Sequence, residues 1–337
     1  MLFLSYLHAV AGRHNLAAGE AFEAMQGILA GEVSASQIAA FLTALRMKGE
    51  TVDELVGFAR AMRAVAVRVD PGLNGEPLLD TCGTGGDGQS TFNISTIAAF
   101  VVAGAGVRVA KHGNRSLSSQ CGSADLLEGL GIAVPAPPEL VARAIREVGI
   151  GFLFAPAVHT AMKHAQPVRA ELKMRTVFNL LGPLTNPAGA TAQLVGAPSE
   201  HAAELMAGAL AQLGLVRGFV VHGSDGLDEI TTTGPTSAFE INGGKVQRRT
   251  FMPEDFGAER VDATALKGGN RATNVAIAYA VLSGVQGPQR EIVLVNAAAA
   301  LVVAGKSADF RQGMQLAGAS IDSGAAREKV EDLARFR

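Results

Sequence analysis

Cysteine is nearly absent: in 337 residues only Cys82 and Cys121 occur. There is no Cys-x-x-Cys pair, so no disulfide framework is encoded, and no His/Cys cluster has zinc spacing. Two isolated thiols fit a reducing cytoplasm. An excess of either charge is missing too. With 29 Lys and Arg against 31 Asp and Glu, the formal net charge is −2. That argues against nucleic acid as a partner, because binding a phosphate backbone requires a basic surface. Long apolar runs are also missing. The opening stretch 1–12 is uncharged, but no basic segment precedes it, so no signal peptide is expected. Residues 176–199 are uncharged but broken by Asn179, Pro183, Asn186, Pro187 and Pro198, and the apolar run near 293–304 is too short for a bilayer. No membrane partner is expected.

Glycine, by contrast, is abundant: 40 residues, well above the ~7% average. An apolar fraction of 48% and a charged fraction of 18% describe a globular chain long enough to bury a sizeable core. No Gly-X-Y period exists, so the surplus glycine must serve particular backbone positions.

The first 65 or so residues read as helices. Ser34 with Gln37 forms a capping box ahead of Ile38, Phe41, Leu42 and Leu45, and Gly49 ends that helix. Thr51 with Glu54 forms another, ahead of Leu55, Phe58 and Met62. A Pro/Gly-bearing linker follows at about 70–77. Beyond it, short apolar runs (78–79, 107–109, 152–154, 193–195, 219–221) alternate with helical periodicity, which predicts an α/β sheet with helices on its faces. Residues 271–335 read as three or four Ala-rich helices.

Four stretches carry chemistry. Asp80–Gly88 has glycine at 83, 85, 86 and 88, between a predicted strand and an apolar helix beginning near Ile97. Glycine lets backbone N–H groups approach an anion, and the helix N-terminus adds its dipole. Asn93, Ser95 and Thr96 place amide and hydroxyl groups at the same end. The pattern is neither G-x-G-x-x-G nor a Walker loop. Lys111–Ser119 combines Lys111 and Arg115 with three serines after a strand, a mixture suited to phosphate. His222–Glu229 sets Asp225, Asp228 and Glu229 close together at a strand end, a hard-oxygen set suited to Mg²⁺ or, without a cation, a solvated acidic turn. In 162–186, Arg169 is equally consistent with a carboxylate clamp and with a surface ion pair.

In this order, GTGGDG…TFNIST, KHGNRSLSSQCGSAD, PVRAELKMRTVFNLLGPLTNP and DGLDEIT resemble the anthranilate phosphoribosyltransferases. QIAAFLTALRMKGET near the start and VLVNAAAALVVAG near the end extend the resemblance over nearly the whole chain. It implies a small helical domain (1–70, joined by helices from about 167–186) and a larger α/β domain (75–166 and 187–337) with a mostly parallel sheet of the nucleoside phosphorylase/phosphoribosyltransferase type. It implies a homodimer that moves phosphoribose from phosphoribosyl pyrophosphate to the amine of anthranilate, a step of tryptophan biosynthesis, with a pair of Mg²⁺ ions. The resemblance assigns to phosphoribosyl pyrophosphate Gly83, Gly86, Asp87, Thr91, Asn93, Ile94, Ser95, Thr96, Lys111, His112, Gly113, Asn114, Arg115, Ser116, Leu117, Ser118, Ser119 and Ser123. Gly83, Asn114 and Arg169 match the anthranilate contacts, Arg169 meeting the carboxylate. Ser95, Asp228 and Glu229 match the metal ligands. No general acid or base is assigned. Val158, Thr160 and Asn270 depart from the usual family residues His, Pro and Asp. A pyrimidine nucleoside phosphorylase has a similar architecture, but KHGN and DGLDE count against it. A paralogue that binds nucleic acid without catalysis is disfavoured by the net charge of −2.

Overall fold

A computed structural model describes residues 2–85, 88–116 and 120–337. The chain opens with helices α1 (Leu2–Ala11), α2 (Ala18–Ala30), α3 (Ala35–Lys48) and α4 (Val52–Val65). Both capping boxes form. The Gln37 N–H donates to Ser34 Oγ at 3.4 Å and the Glu54 N–H to Thr51 Oγ1 at 3.3 Å, each side chain reciprocating. The stripe Ile38, Phe41, Leu42 and Leu45 is buried, and Phe41 meets Phe58 of α4 edge-on with ring centroids 6.2 Å apart. Glu54 is fully buried. It accepts from Lys48 Nζ at 2.9 Å and from the Leu16 and Thr51 N–H groups, tying three segments of the bundle to one carboxylate.

Next come β1 (Leu78–Gly83), α5 (Ile94–Gly104), β2 (Arg108–Gly113), α6 (Ser123–Gly129), α7 (Pro138–Glu147), β3 (Ile150–Phe154) and α8 (Ala155–Val158). Then α9 (Gln166–Leu172) and α10 (Phe178–Leu181) return to the bundle, where Val168, Val177, Phe178 and Leu181 share its core. The remainder is β4 (Ala192–Gly196), α11 (Glu200–Gln212), β5 (Arg217–Gly223), β6 (Thr236–Asn242), β7 (Lys245–Phe251), α12 (Arg271–Leu282), α13 (Pro288–Val303), α14 (Phe310–Asp322) and α15 (Ala325–Arg335). The C-terminal part thus holds four helices among the described residues.

The described strands form a 7-stranded sheet in the order β3-β2-β1-β4-β5-β6-β7. β1 to β5 run parallel, and β6 and β7 add an antiparallel edge. One face is covered by α5, α6 and α12 to α15, while the other meets α11 and the bundle core. Coverage on both sides explains the short, continuous apolar runs of the parallel strands. The β6–β7 hairpin was not anticipated. Its turn, Gly243-Gly244 between the paired Asn242 and Lys245, has φ of 55° and 80°, as a two-residue hairpin turn of the primed type requires. β7 is exposed apart from Phe251 and carries Lys245, Arg248 and Arg249, charges that discourage pairing at an open edge.

The strand order reverses between β1 and β4. In an open α/β sheet the usual ligand position is the crevice at the C-terminal ends of the strands flanking such a reversal.

Candidate active site

Gly83 ends β1 and Gly196 ends β4, paired in register. Asp228, from the loop after β5, lies across both. A Cβ on Gly196 would come within 1.6 Å of the Asp228 carbonyl oxygen, and one on Gly83 within 2.6 Å of its carboxylate. These two glycines make room for the acidic residue. The Gly85 N–H donates to Asp228 Oδ2 at 2.8 Å. Glu229 reaches the next element: the Ser95 N–H, in the first turn of α5, donates to Glu229 Oε1 at 3.1 Å. The positive end of that helix suits a carboxylate as it would a phosphate. Asp225 serves the turn itself, accepting from Thr231 Oγ1 at 2.5 Å and Thr233 Oγ1 at 2.7 Å.

Lys111 and His112 lie within β2, not in the loop after it, and both are buried. Lys111 Nζ donates to the Thr81 carbonyl and to Ser95 Oγ at 3.4 Å. Asp80, fully buried on the neighbouring strand, accepts from the His112 N–H at 3.1 Å and Asn186 Nδ2 at 2.8 Å. Burial pushes the Asp80 carboxyl up and the Lys111 ammonium down, and each charge partly counters the other's shift. His112 Nδ1 bonds the Gly182 carbonyl at 3.1 Å, and its ring lies 5.1 Å from that of His159. Burial lowers the two imidazoles to about 3 and about 4, so both are neutral at pH 7. The Nε2 atoms of both rings are buried without a partner among the described residues.

Asn93 precedes α5 and donates from Nδ2 to the Cys121 carbonyl at 3.0 Å. Its own Oδ1 accepts from Asn274 Nδ2 at 3.0 Å. Thr91 bridges to Lys267, and the Gly268 N–H donates to the Ser90 carbonyl, so residues 266–274 clasp the loop before α5. Ser123 is the first residue of α6, not its cap, and its hydroxyl donates to the Asn114 carbonyl at 3.0 Å. Arg115 faces Asp125 at 3.0 Å and Glu128. Ser116 donates its N–H to Asp125 Oδ2 at 3.4 Å. Arg169 is on α9, with its guanidinium 5.2 Å from the Phe178 ring centroid and Nη1 3.4 Å from Gln166 Oε1. Gly86, Asp87, Leu117, Ser118 and Ser119 lie outside the described residues.

Asp80, His159, Arg175, Asn186 and Asn274 were not among the site residues expected from the sequence. Arg175 donates to the Gly85 carbonyl, while its own carbonyl accepts from Arg46 Nη1 of α3 at 2.9 Å, which couples the glycine loop to the bundle. Of these, Asp80 had a signal as the first residue of the glycine-rich stretch, and Arg175 and Asn186 lie within the 167–187 motif. Asn270 caps α12, accepting from the Thr273 N–H at 3.0 Å, a role Asn and Asp fill equally well.

The oxygens of Asp228, Glu229 and Ser95 are hard donors of the kind Mg²⁺ takes, with substrate oxygens and water completing its shell. Among the described residues no three His, Cys, Asp or Glu side chains gather as a ready metal cage.

The helical bundle and the α/β sheet that carries the acidic pair each match a model of a glycosyl transferase family. The family model described as "Glycosyl transferase family, a/b domain" matches residues 75–327, and the one described as "Glycosyl transferase family, helical bundle domain" matches 4–66. The anthranilate phosphoribosyltransferase of Solibacter usitatus is 70% identical over 100% of this chain and 99% of its own. That of Moorella thermoacetica is 57% identical over 99% of this chain and 97% of its own. Among solved structures, the Thermus thermophilus enzyme is 46% identical with a TM-score of 0.92, covering 98% of both chains. The Saccharomyces cerevisiae enzyme, in complex with PRPP and Mg, is 29% identical with a TM-score of 0.89, covering 98% of this chain and 96% of its own. The chain belongs to the glycosyl transferase family and, within it, to the anthranilate phosphoribosyltransferases.

Proposed function

We propose that the chain transfers the phosphoribosyl group of phosphoribosyl pyrophosphate to anthranilate, giving N-(5-phosphoribosyl)anthranilate and pyrophosphate in tryptophan biosynthesis. One observation carries this reading: Asp228 and Glu229 are drawn across the β1/β4 crevice onto the N–H groups of Gly85 and Ser95. The diphosphate would lie on the glycine loop and the first turn of α5, beside Lys111. Magnesium, held by Asp228, Glu229 and the Ser95 hydroxyl, would supply charge neutralisation for the leaving group. Thr91, Asn93 and the 111–116 stretch complete the phosphate side. The C1–O bond to pyrophosphate breaks as C1 takes on oxocarbenium character, and the amine nitrogen forms the new C1–N bond from the opposite face, then releases one proton to water or to the departing pyrophosphate. An aniline-type amine is uncharged at pH 7, so its lone pair is available without a strong base. Positioning and leaving-group electrostatics then account for most of the rate.

Gly83, Asn114 and Arg169 are assigned to anthranilate, with Arg169 on its carboxylate. The protein should deplete anthranilate fluorescence only when phosphoribosyl pyrophosphate and Mg²⁺ are both present; no depletion would overturn the reading. Arg169→Ala should raise the KM for anthranilate about 10-fold or more, the worth of a charge-assisted pair, with the KM for the co-substrate nearly unchanged. Equal rises in both constants would remove the carboxylate assignment.

The domain division is read as 1–70 with about 167–186 against 75–166 with 187–337. A homodimer is proposed through α1 and α3. Met47, 71% exposed, lines a groove of about 450 Å³ with Val10 and Ala11 of α1 and Ala40 and Ala44 of α3, and Leu2, 62% exposed, stands at the other end of α1. Met47→Glu should halve the mass in light scattering at micromolar concentration, and an unchanged mass would refute this face. No described helix is long and apolar enough to cross a membrane. Cys82 and Cys121 are thiols rather than halves of a disulfide, which supports a cytoplasmic setting.

A further inference from the structure

Helix α13 is apolar and buried over nearly all its length, yet Asn296 sits in its middle, fully buried among Val295, Ala297 and Ala298. A side-chain amide there costs stability unless it is hydrogen-bonded, so its partners explain its presence. They lie 66 residues away in sequence. The Ile230 N–H donates to Asn296 Oδ1 at 3.0 Å, and Asn296 Nδ2 donates to the Ile230 carbonyl at 2.9 Å. The second Nδ2 hydrogen goes to the Ile292 carbonyl of its own helix, also at 2.9 Å. One side chain therefore satisfies both backbone groups of Ile230, much as a neighbouring strand would, but at a single residue of an irregular loop.

Ile230 directly follows Glu229. Leu227 and Ile230 are 2% and 1% exposed, so the acidic pair projects from between two buried apolar anchors. On the far side, Thr231 is held by its N–H to Thr236 Oγ1 at 3.1 Å and by its hydroxyl to Asp225. The amide of Asn296 thus ties the backbone next to the acidic pair directly to α13 in the helical layer beneath.

We infer that Asn296 is a positioning residue for the acidic pair: by clamping both backbone groups of Ile230 it fixes where the Asp228 and Glu229 carboxylates stand in the crevice. This rests on the metal role proposed for that pair. Residues that orient metal ligands typically alter metal affinity or activity about 10- to 100-fold when replaced. Asn296 is fully buried and its side chain bonds only the Ile230 and Ile292 backbone among the described residues, so its loss should weaken magnesium use and leave anthranilate binding alone.

The test uses Asn296→Ala, with Asn296→Ser in its place if the first variant does not fold, and Val295→Ala as a packing control on the same helix. In the metal-free protein, amide hydrogen exchange over 225–231 should speed up at least about 10-fold relative to the parent, by local opening of an unclamped loop. Mn²⁺ affinity, measured by electron paramagnetic resonance with phosphoribosyl pyrophosphate present and anthranilate absent, should fall about 10-fold. The half-saturating Mg²⁺ concentration in turnover should rise in step, with the KM for anthranilate within twofold. Val295→Ala should lower the melting temperature without moving the Mn²⁺ affinity. Unchanged exchange, unchanged Mn²⁺ affinity, or an equal metal effect in Val295→Ala each overturns the inference. Failure of the metal assignment itself shows elsewhere, in an Asp228→Asn, Glu229→Gln chain that binds Mn²⁺ like the parent.

Discussion

Asp228→Asn combined with Glu229→Gln is expected to lower kcat/KM by about 10²–10³-fold at ordinary Mg²⁺ concentrations. These substitutions remove charge while keeping shape. Both carboxylates accept backbone N–H groups, Asp228 from Gly85 at 2.8 Å and Glu229 from Ser95 at 3.1 Å. The amide side chains keep a carbonyl oxygen in each place, so the crevice between Gly83 and Gly196 keeps its form. What disappears is two negative charges beside the leaving diphosphate. A cation stabilising that group contributes several kcal/mol to the transition state, and each 1.36 kcal/mol is a factor of about ten in rate. A magnesium titration of anthranilate depletion checks this. The variant should need far more Mg²⁺ and still fall short at saturation, with an unaltered far-ultraviolet circular dichroism spectrum. A titration curve superimposable on the parent's refutes the role given to the pair.

Glu54→Ala should cost about 3–5 kcal/mol of stability, the usual loss when one partner of a buried ion pair is removed. Lys48 and Glu54 side chains are 4% and 0% exposed, with 2.9 Å between Nζ and Oε2. Without the carboxylate, the Lys48 ammonium keeps Gly49 O at 2.6 Å and Asn15 Oδ1 at 3.0 Å but loses its ion-pair partner. The N–H groups of Leu16 and Thr51 lose their acceptor at the same stroke. Urea unfolding monitored by circular dichroism measures the effect. A loss below about 1 kcal/mol would mean that the pair contributes no more than an exposed one. Because α3 also carries Arg46, which bonds the Arg175 carbonyl, loosening the bundle should reach the glycine loop through Arg175.

Local chemistry was legible wherever a feature is written within a few residues. Both capping boxes, the buried stripe of α3 and the parallel strands follow from spacing and burial patterns. The cation–hydroxyl stretch was legible as chemistry but misplaced in space. Lys111 and His112 continue β2, because pairing with β3 extends the ladder as far as Gly113. The β6–β7 hairpin was missed although Asn242-Gly243-Gly244 is a turn signal, since the strand after it is polar and lies at an open edge. Asn274 and Asn296 were invisible as site residues, because a buried polar side chain shows its purpose only through partners that the fold delivers.

By itself the sequence determined which residue types are available for phosphate and metal chemistry, where glycine relieves the backbone, and which family the motifs resemble. Those are short-range properties, set by side-chain chemistry and by residues three or four apart. The tertiary structure decided which of the available groups meet. It set Asp228 against Gly83 and Gly196, Glu229 on the first turn of α5, Lys111 beside Ser95, and Asn296 under Ile230. Each meeting joins segments far apart in the chain and depends on strand order, register and helix placement, which are settled by burying apolar surface over the whole molecule.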